Sequence, residues 1–120
     1  MTNQDLNELV ISATQELMVN SPFLKDCQNQ LAEQVHAILL KKHDEYALDS
    51  DALSNFKNGG KIFGDVPEKV LLYYKLKHDV SIKKLVEDLP KMDLMLFKEK
   101  IVDNIAYLVL LWAHLVERSK

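Results

Sequence analysis

The sequence predicts an all-α fold, a helical bundle of four to five helices in a single domain spanning residues 1–120. Three observations carry that expectation. Only three glycines and three prolines interrupt the 120 residues, and they fall where helices should start or stop. Between them, apolar residues recur three, four and seven positions apart, the period of a helix with one buried face. The hydrophobic share is 48% and the charged share 28%, the ordinary balance of a folded chain.

A first helix should open after Thr2 or Asn3, with Leu6, Val10, Ile11, Leu17 and Met18 as its inner stripe, and end at Asn20-Ser21-Pro22. Ser21 can accept a hydrogen bond from a free amide of the next helix, and Pro22 brings a preset φ to its first position. That second helix should run to about Tyr46, with Phe23, Leu24, Cys27, Leu31, Val35, Ile38 and Leu39 facing inward and Glu45 carried toward the buried side. Ala47 to Leu53 contains Asp49, Ser50 and Asp51, whose side chains compete for backbone amides, and should be a loop. A short helix follows to about Phe63, with Phe56 and Phe63 inward, weakened by Gly59-Gly60 and stopped near Gly64. Asp65-Val66-Pro67-Glu68 has capping-box spacing. The helix beyond it should place Leu71, Tyr74, His78, Ile82 and Leu85 on one face and end before Pro90. Asp93 can cap the last helix, which should run to about Glu117.

A net charge of −3 gives no general attraction for a phosphate backbone, so general nucleic-acid binding is not expected. A single cysteine, Cys27, allows no intrachain disulfide, and the polar amino-terminal residues lack the order of a signal peptide. The apolar stretch Ile101 to Val116 is broken by Asp103, Asn104 and His114 and falls short of the ~20 apolar residues of a bilayer span. No membrane association and a cytoplasmic location are the expectation. That stretch is nonetheless apolar nearly all round, so something must cover both sides of it; a homodimer built partly on this helix is expected.

Glu99 and Asp103 stand one helical turn apart at the head of this segment. A buried carboxylate must be paired, hydrogen-bonded or bound to a cation. With Glu45, Asp49, Asp51, Asn55 and His78 they form a set of oxygen and nitrogen donors spread over several helices. Hard cations such as Mg²⁺ or Mn²⁺ take carboxylate oxygens, and facing helices can hold them. Each residue also has a plainer role: Asp49 and Asp51 as turn formers, Glu45 solvated at a fraying end, Glu99 favoured by the helix dipole, His78 hydrogen-bonded in the core. His78 and Asp103 both interrupt apolar stripes and are expected to face one interior cleft. Zinc spacings, a phosphate loop and a nucleophile elbow are absent from the sequence.

The segments Lys42-His43-Asp44-Glu45-Tyr46, Asp49 to Phe56, Lys77-His78-Asp79-Val80-Ser81-Ile82, and Glu99 to Asp103 continuing to Tyr107-Leu108 resemble small phage-encoded helical proteins of unassigned function, over roughly residues 36–118. Those in turn resemble, distantly, the MazG-like all-α nucleoside triphosphate pyrophosphohydrolases, whose metal is held by acidic pairs on two central helices. The resemblance implies a helical dimer and a metal site at Glu45, Asp49, Glu99 and Asp103, with Asp51, Asn55, Lys77, His78 and Lys100 toward a nucleotide. The enzymes' second motif, Glu-x-x-Asp, would put Glu where Lys100 stands, leaving Glu99 one residue off. Their first motif, Glu-x-x-Glu, is approached only by Glu45 with Asp49, at four-residue spacing.

Two readings follow. In one, the chain is a phage-type, nucleotide-related protein that binds a nucleoside phosphate through Mg²⁺ or Mn²⁺; if it is an enzyme, metal-activated water would attack a phosphoanhydride. In the other, it is a noncatalytic dimeric interaction module of a phage or prophage, with its acids paired to lysines such as Lys75, Lys77 or Lys100.

Overall fold

The structure, a computed structural model, describes residues 2–46 and 53–120, and the side chains of residues 14–20 and 42–46 stand outside that description. The described chain is all-α. It contains α1 (Asn3–Asn20), α2 (Pro22–Tyr46), α3 (Ser54–Phe63), α4 (Pro67–Val86), a 3₁₀ turn at Leu89–Lys91 and α5 (Leu94–Arg118). No helix among the described residues is long and apolar enough to cross a membrane. The chain divides into two compact units, residues 1–33 and 34–120.

In the first unit, the Thr2 hydroxyl accepts from the Asp5 amide at 3.0 Å and Asp5 accepts from the Thr2 amide, closing the start of α1 as a reciprocal cap. The Ser21 hydroxyl accepts from the Leu24 amide at 3.3 Å, the cap expected of it. The apolar stripes do not behave as expected. Leu6, Val10 and Ile11 are each about half exposed, as is Leu24, and Phe23 is 75% exposed. A unit of some thirty residues has too little chain to wrap an apolar face completely.

The second unit holds the core. Phe56, Val70, Leu71 and Tyr107 pack together, with Leu110 and Leu111 against them. The Phe56 ring meets Tyr74, Tyr107 and His114 at centroid distances of 6.1, 6.2 and 5.8 Å, tilted or edge-on as aromatic quadrupoles favour. From the carboxyl half of α2, Val35 is buried and Ile38 and Leu39 are half-buried.

The join between α3 and α4 depends on Gly64, whose φ of 69° is open to glycine at little cost. The Asp65 amide then donates back to the Gly60 carbonyl at 3.0 Å. The inward placement of Phe63 is overturned: it is 66% exposed, at the helix end where the chain reverses and the returning backbone of Asp65 to Pro67 closes over Gly60. The capping box is also overturned. Val66 occupies the cap position without a side-chain bond, while Asp65 accepts from the Val66 amide at 2.8 Å and from the Tyr73 hydroxyl at 3.2 Å. Glu68 pairs with Arg118 instead, because a guanidinium is a stronger donor than a free amide. At α5, Asp93 caps as expected, accepting from the Met95 and Leu96 amides at 3.1 and 3.2 Å.

Candidate functional site

α4 and α5 run antiparallel, held in register by polar pairs along their seam. At one end Arg118 donates to both carboxylate oxygens of Glu68, at 2.8 Å to Oε2 and 3.0 Å to Oε1. Toward the other end Asn104 Nδ2 donates to Asp79 Oδ1 at 2.8 Å, and Lys75 Nζ donates to the same carboxylate at 3.0 Å. Asn104 Oδ1 is buried and lacks a hydrogen-bond partner among the described residues. Just inside, His78 Nδ1 lies 3.9 Å from Asp103 Oδ2, with side chains 10% and 14% exposed. The His78 ring leans on Tyr107 at a centroid distance of 5.2 Å.

The expected meeting of His78 and Asp103 is therefore found, because both stripes they interrupt face the same seam. At 3.9 Å the contact is an ion pair only when His78 is protonated and is too long for a hydrogen bond. Glu99, a turn before Asp103, is exposed. It lines a groove of about 540 Å³ between the carboxyl half of α2 and the start of α5, with Lys41, Lys98, Asp93, Ile38 and Val102 among its other walls. Asn55 and Lys77 are exposed and Lys100 is half-buried. The side chain of Glu45 and all of Asp49 and Asp51 fall outside the described residues.

A hard divalent cation wants several carboxylate oxygens converging on one point. Of the four carboxylates expected to hold it, the two described do not supply that: Asp103 faces a histidine nitrogen, and Glu99 stands in a groove beside two lysines. Among the described residues no three His, Cys, Asp or Glu side chains come together as a metal site.

Charge in the seam stabilises the native pairing. The Arg118 hydrogen bond holds the Glu68 carboxyl below its ordinary 4.5. The Lys75 hydrogen bond, then that of Asn104, holds Asp79 below its ordinary 3.8. Both groups bind protons more weakly folded than unfolded, so their stabilisation is present above the ordinary carboxylate range and is lost as pH falls through and below it. The melting temperature is expected to fall as the pH drops below about 5. Arg118→Ala should lower it at neutral pH and make that acid-side fall shallower, as read by circular dichroism melts across the pH series; a fall of unchanged steepness would show that the pair contributes nothing.

A second feature of these helices was only half legible in the sequence. On α4, Leu72, Tyr73, Leu76 and Val80 are 46%, 62%, 59% and 44% exposed. On α5, Leu108, Trp112 and Leu115 are 50%, 68% and 45% exposed, and Ile101 and Ile105 are half-buried. The α5 set steps by four, three, four and three, and Tyr73, Leu76 and Val80 step by three and four: heptad spacing, on the sides turned away from the core. The register set by Glu68–Arg118 and Asp79–Asn104 puts Leu76 level with Leu108 and Leu72 level with Trp112. The two stripes therefore form one two-helix apolar face. Heptad spacing within Ile101 to Leu115 was the signal available in the sequence for it.

Comparison with protein-family models, with curated proteins and with solved structures finds no match to this chain.

Proposed function

We propose that this chain is a noncatalytic helical interaction module that docks through the outer face of α4 and α5. The observation that carries this reading is that continuous heptad-spaced apolar face. Soluble monomers rarely expose contiguous apolar patches beyond a few hundred Å², and larger ones mark interaction surfaces. The polar seam beneath suits an architectural role: Glu68, Asp79 and Asn104 each hold a partner across or along the helices, fixing the register that aligns the two stripes.

The rival reading, implied by the resemblance to the pyrophosphohydrolases, makes Asp103 and its neighbours a Mg²⁺ or Mn²⁺ site for a nucleoside phosphate. Thermal melts of the parent and of Asp103→Asn, in chelator and in ~5 mM Mn²⁺, an amount chosen to exceed weak-site constants, separate the two. For an interaction module, the parent melts at the same temperature in both buffers. Asp103→Asn loses the carboxylate facing His78 and drops by the same few degrees in each, an effect of about 1 kcal/mol. For a metal site, ligand at ~100 times its dissociation constant stabilises the parent by roughly 2.7 kcal/mol, and the substitution abolishes that gain. A metal-dependent rise in the parent that Asp103→Asn removes retires the module reading.

A further inference from the structure

We infer that the occupant of the α4–α5 face is a second copy of this chain, joined in an isologous face-to-face dimer whose interface is a four-helix layer with Trp112 inside it; this rests on the interaction-module reading.

Area is the first argument. Leu72, Leu76, Val80, Leu108 and Leu115 are each about half exposed, and Tyr73 and Trp112 about two-thirds. Aromatic side chains carry roughly 150–250 Å² apiece and the leucines and valine somewhat less, so at these exposures the seven offer on the order of 700 Å² of mainly apolar surface. A standard stable interface buries about 800 Å² per partner, so the face meets that size almost by itself, and its rim completes it. A single helix would seat in the groove between the two stripes and bury less of the face than a second helix pair would. A partner that presents two helices side by side covers both along their length.

Chemistry and geometry then favour a like partner. Heptad-spaced knobs need holes of the same spacing on helices lying nearly parallel to them, and this chain supplies such a pair. The charges flanking the face are of both signs at one end, where Glu68 and Arg118 are already paired to each other, and again further along, where Asp79 is held by Lys75 and Asn104. A second copy therefore meets a rim of mixed sign, not a field of one sign, with the exposed Lys83, one step beyond Val80, standing outside these pairs. Because the same patch serves both subunits, an assembly built on it closes at two. The expectation of a dimer on the last helix thereby acquires a defined surface, one to which α4 contributes as much as α5.

Trp112 is the chain's only tryptophan and stands 68% exposed in the single chain, so it reports on the face directly. The test is sedimentation equilibrium of the full chain from ~0.5 to ~200 µM, a range bracketing ordinary dimer constants, with Trp112 emission and acrylamide quenching read on the same samples. The expected result is a mass rising toward twice the chain's 13.8 kDa, with Trp112 exposed in the dilute monomer and shielded in the concentrated dimer. Leu108→Glu and, separately, Leu76→Lys should each raise the dissociation constant by roughly 30-fold or more while helical circular dichroism is kept. Ile62→Glu, at a still more exposed apolar position on α3, should leave it unchanged. A chain that stays monomeric to ~200 µM with Trp112 exposed overturns the second copy alone and leaves a docking face for a different protein. A monomer with Trp112 shielded overturns both, since the chain then covers its own face. A dimer indifferent to both charged variants lies elsewhere and also overturns the inference.

Discussion

Leu71→Ala is expected to lower the melting temperature by on the order of 10–15 °C, among the largest effects of any single truncation in this chain. Leu71 has no exposed surface at all and sits among Phe56, Val70 and Tyr107, where α3, α4 and α5 converge. Removing a buried leucine side chain costs its transfer free energy plus that of the cavity left behind, together about 2–5 kcal/mol. The lining mixes the rings of Phe56 and Tyr107 with the aliphatic Val70, Leu110 and Leu111, so the cavity closes only in part and the middle of that range applies. Circular dichroism melts with urea titration measure it. The slope against urea should stay near the parent's, since the same surface is exposed on unfolding. A loss below about 1 kcal/mol would mean that the site is not closed as described.

Gly60→Ala is the second large effect, and its sign opposes helix propensity. Gly60 lies inside α3, where alanine ordinarily stabilises by about 1 kcal/mol. A Cβ added there would stand 2.6 Å from the Asp65 carbonyl oxygen and 3.5 Å from the Pro67 nitrogen. Both are backbone atoms of the reversal between α3 and α4, so neither can swing away as a side chain would. Relieving the contact means opening the turn that carries the Asp65–Gly60 hydrogen bond. The expected outcome is a net destabilisation of roughly 2–3 kcal/mol, the scale of overpacking a closed site. A melting temperature equal to or above the parent's would show that the turn has slack. Gly64→Ala is a comparison in which the crowding is absent, with nothing within 4 Å of an added Cβ; its strain comes from the positive φ alone.

How far the sequence reaches depends on how far each determinant acts along the chain. Helix spans and most ends were legible because they are decided within about four residues: the hydroxyl of Ser21, the carboxylate of Asp93 and the ring of Pro67 act on their own first turns. The meeting of His78 with Asp103 was legible too, because each interrupts an apolar stripe and stripes must face one another. The capping role of Asp65 failed where a local pattern met stronger competitors: Arg118 captured Glu68 from fifty residues away. Asn104 and Asp79, twenty-five residues apart, carry no spacing that announces a bond. Glu99 follows Asp103 by helical periodicity, yet it opens on the groove with Lys41 and Lys98, because α2 stands beside that end of α5.

By itself, then, the sequence determined that this chain is helical, where most of its helices begin and end, and that its last helix is apolar on more sides than one neighbour can cover. Periodicity and capping are local, so no other part of the chain is needed to state them. Only the tertiary structure decided which half of that helix the core takes. Phe97, Val102, Ala106, Tyr107 and His114 are buried, while Leu108, Trp112 and Leu115 are turned outward. Both halves carry large apolar side chains, so their presence alone does not choose between them. The choice comes from the antiparallel register of α4 against α5, set by charged and amide pairs far apart in the chain, whose directional bonds admit one rotation of the helix and not the other.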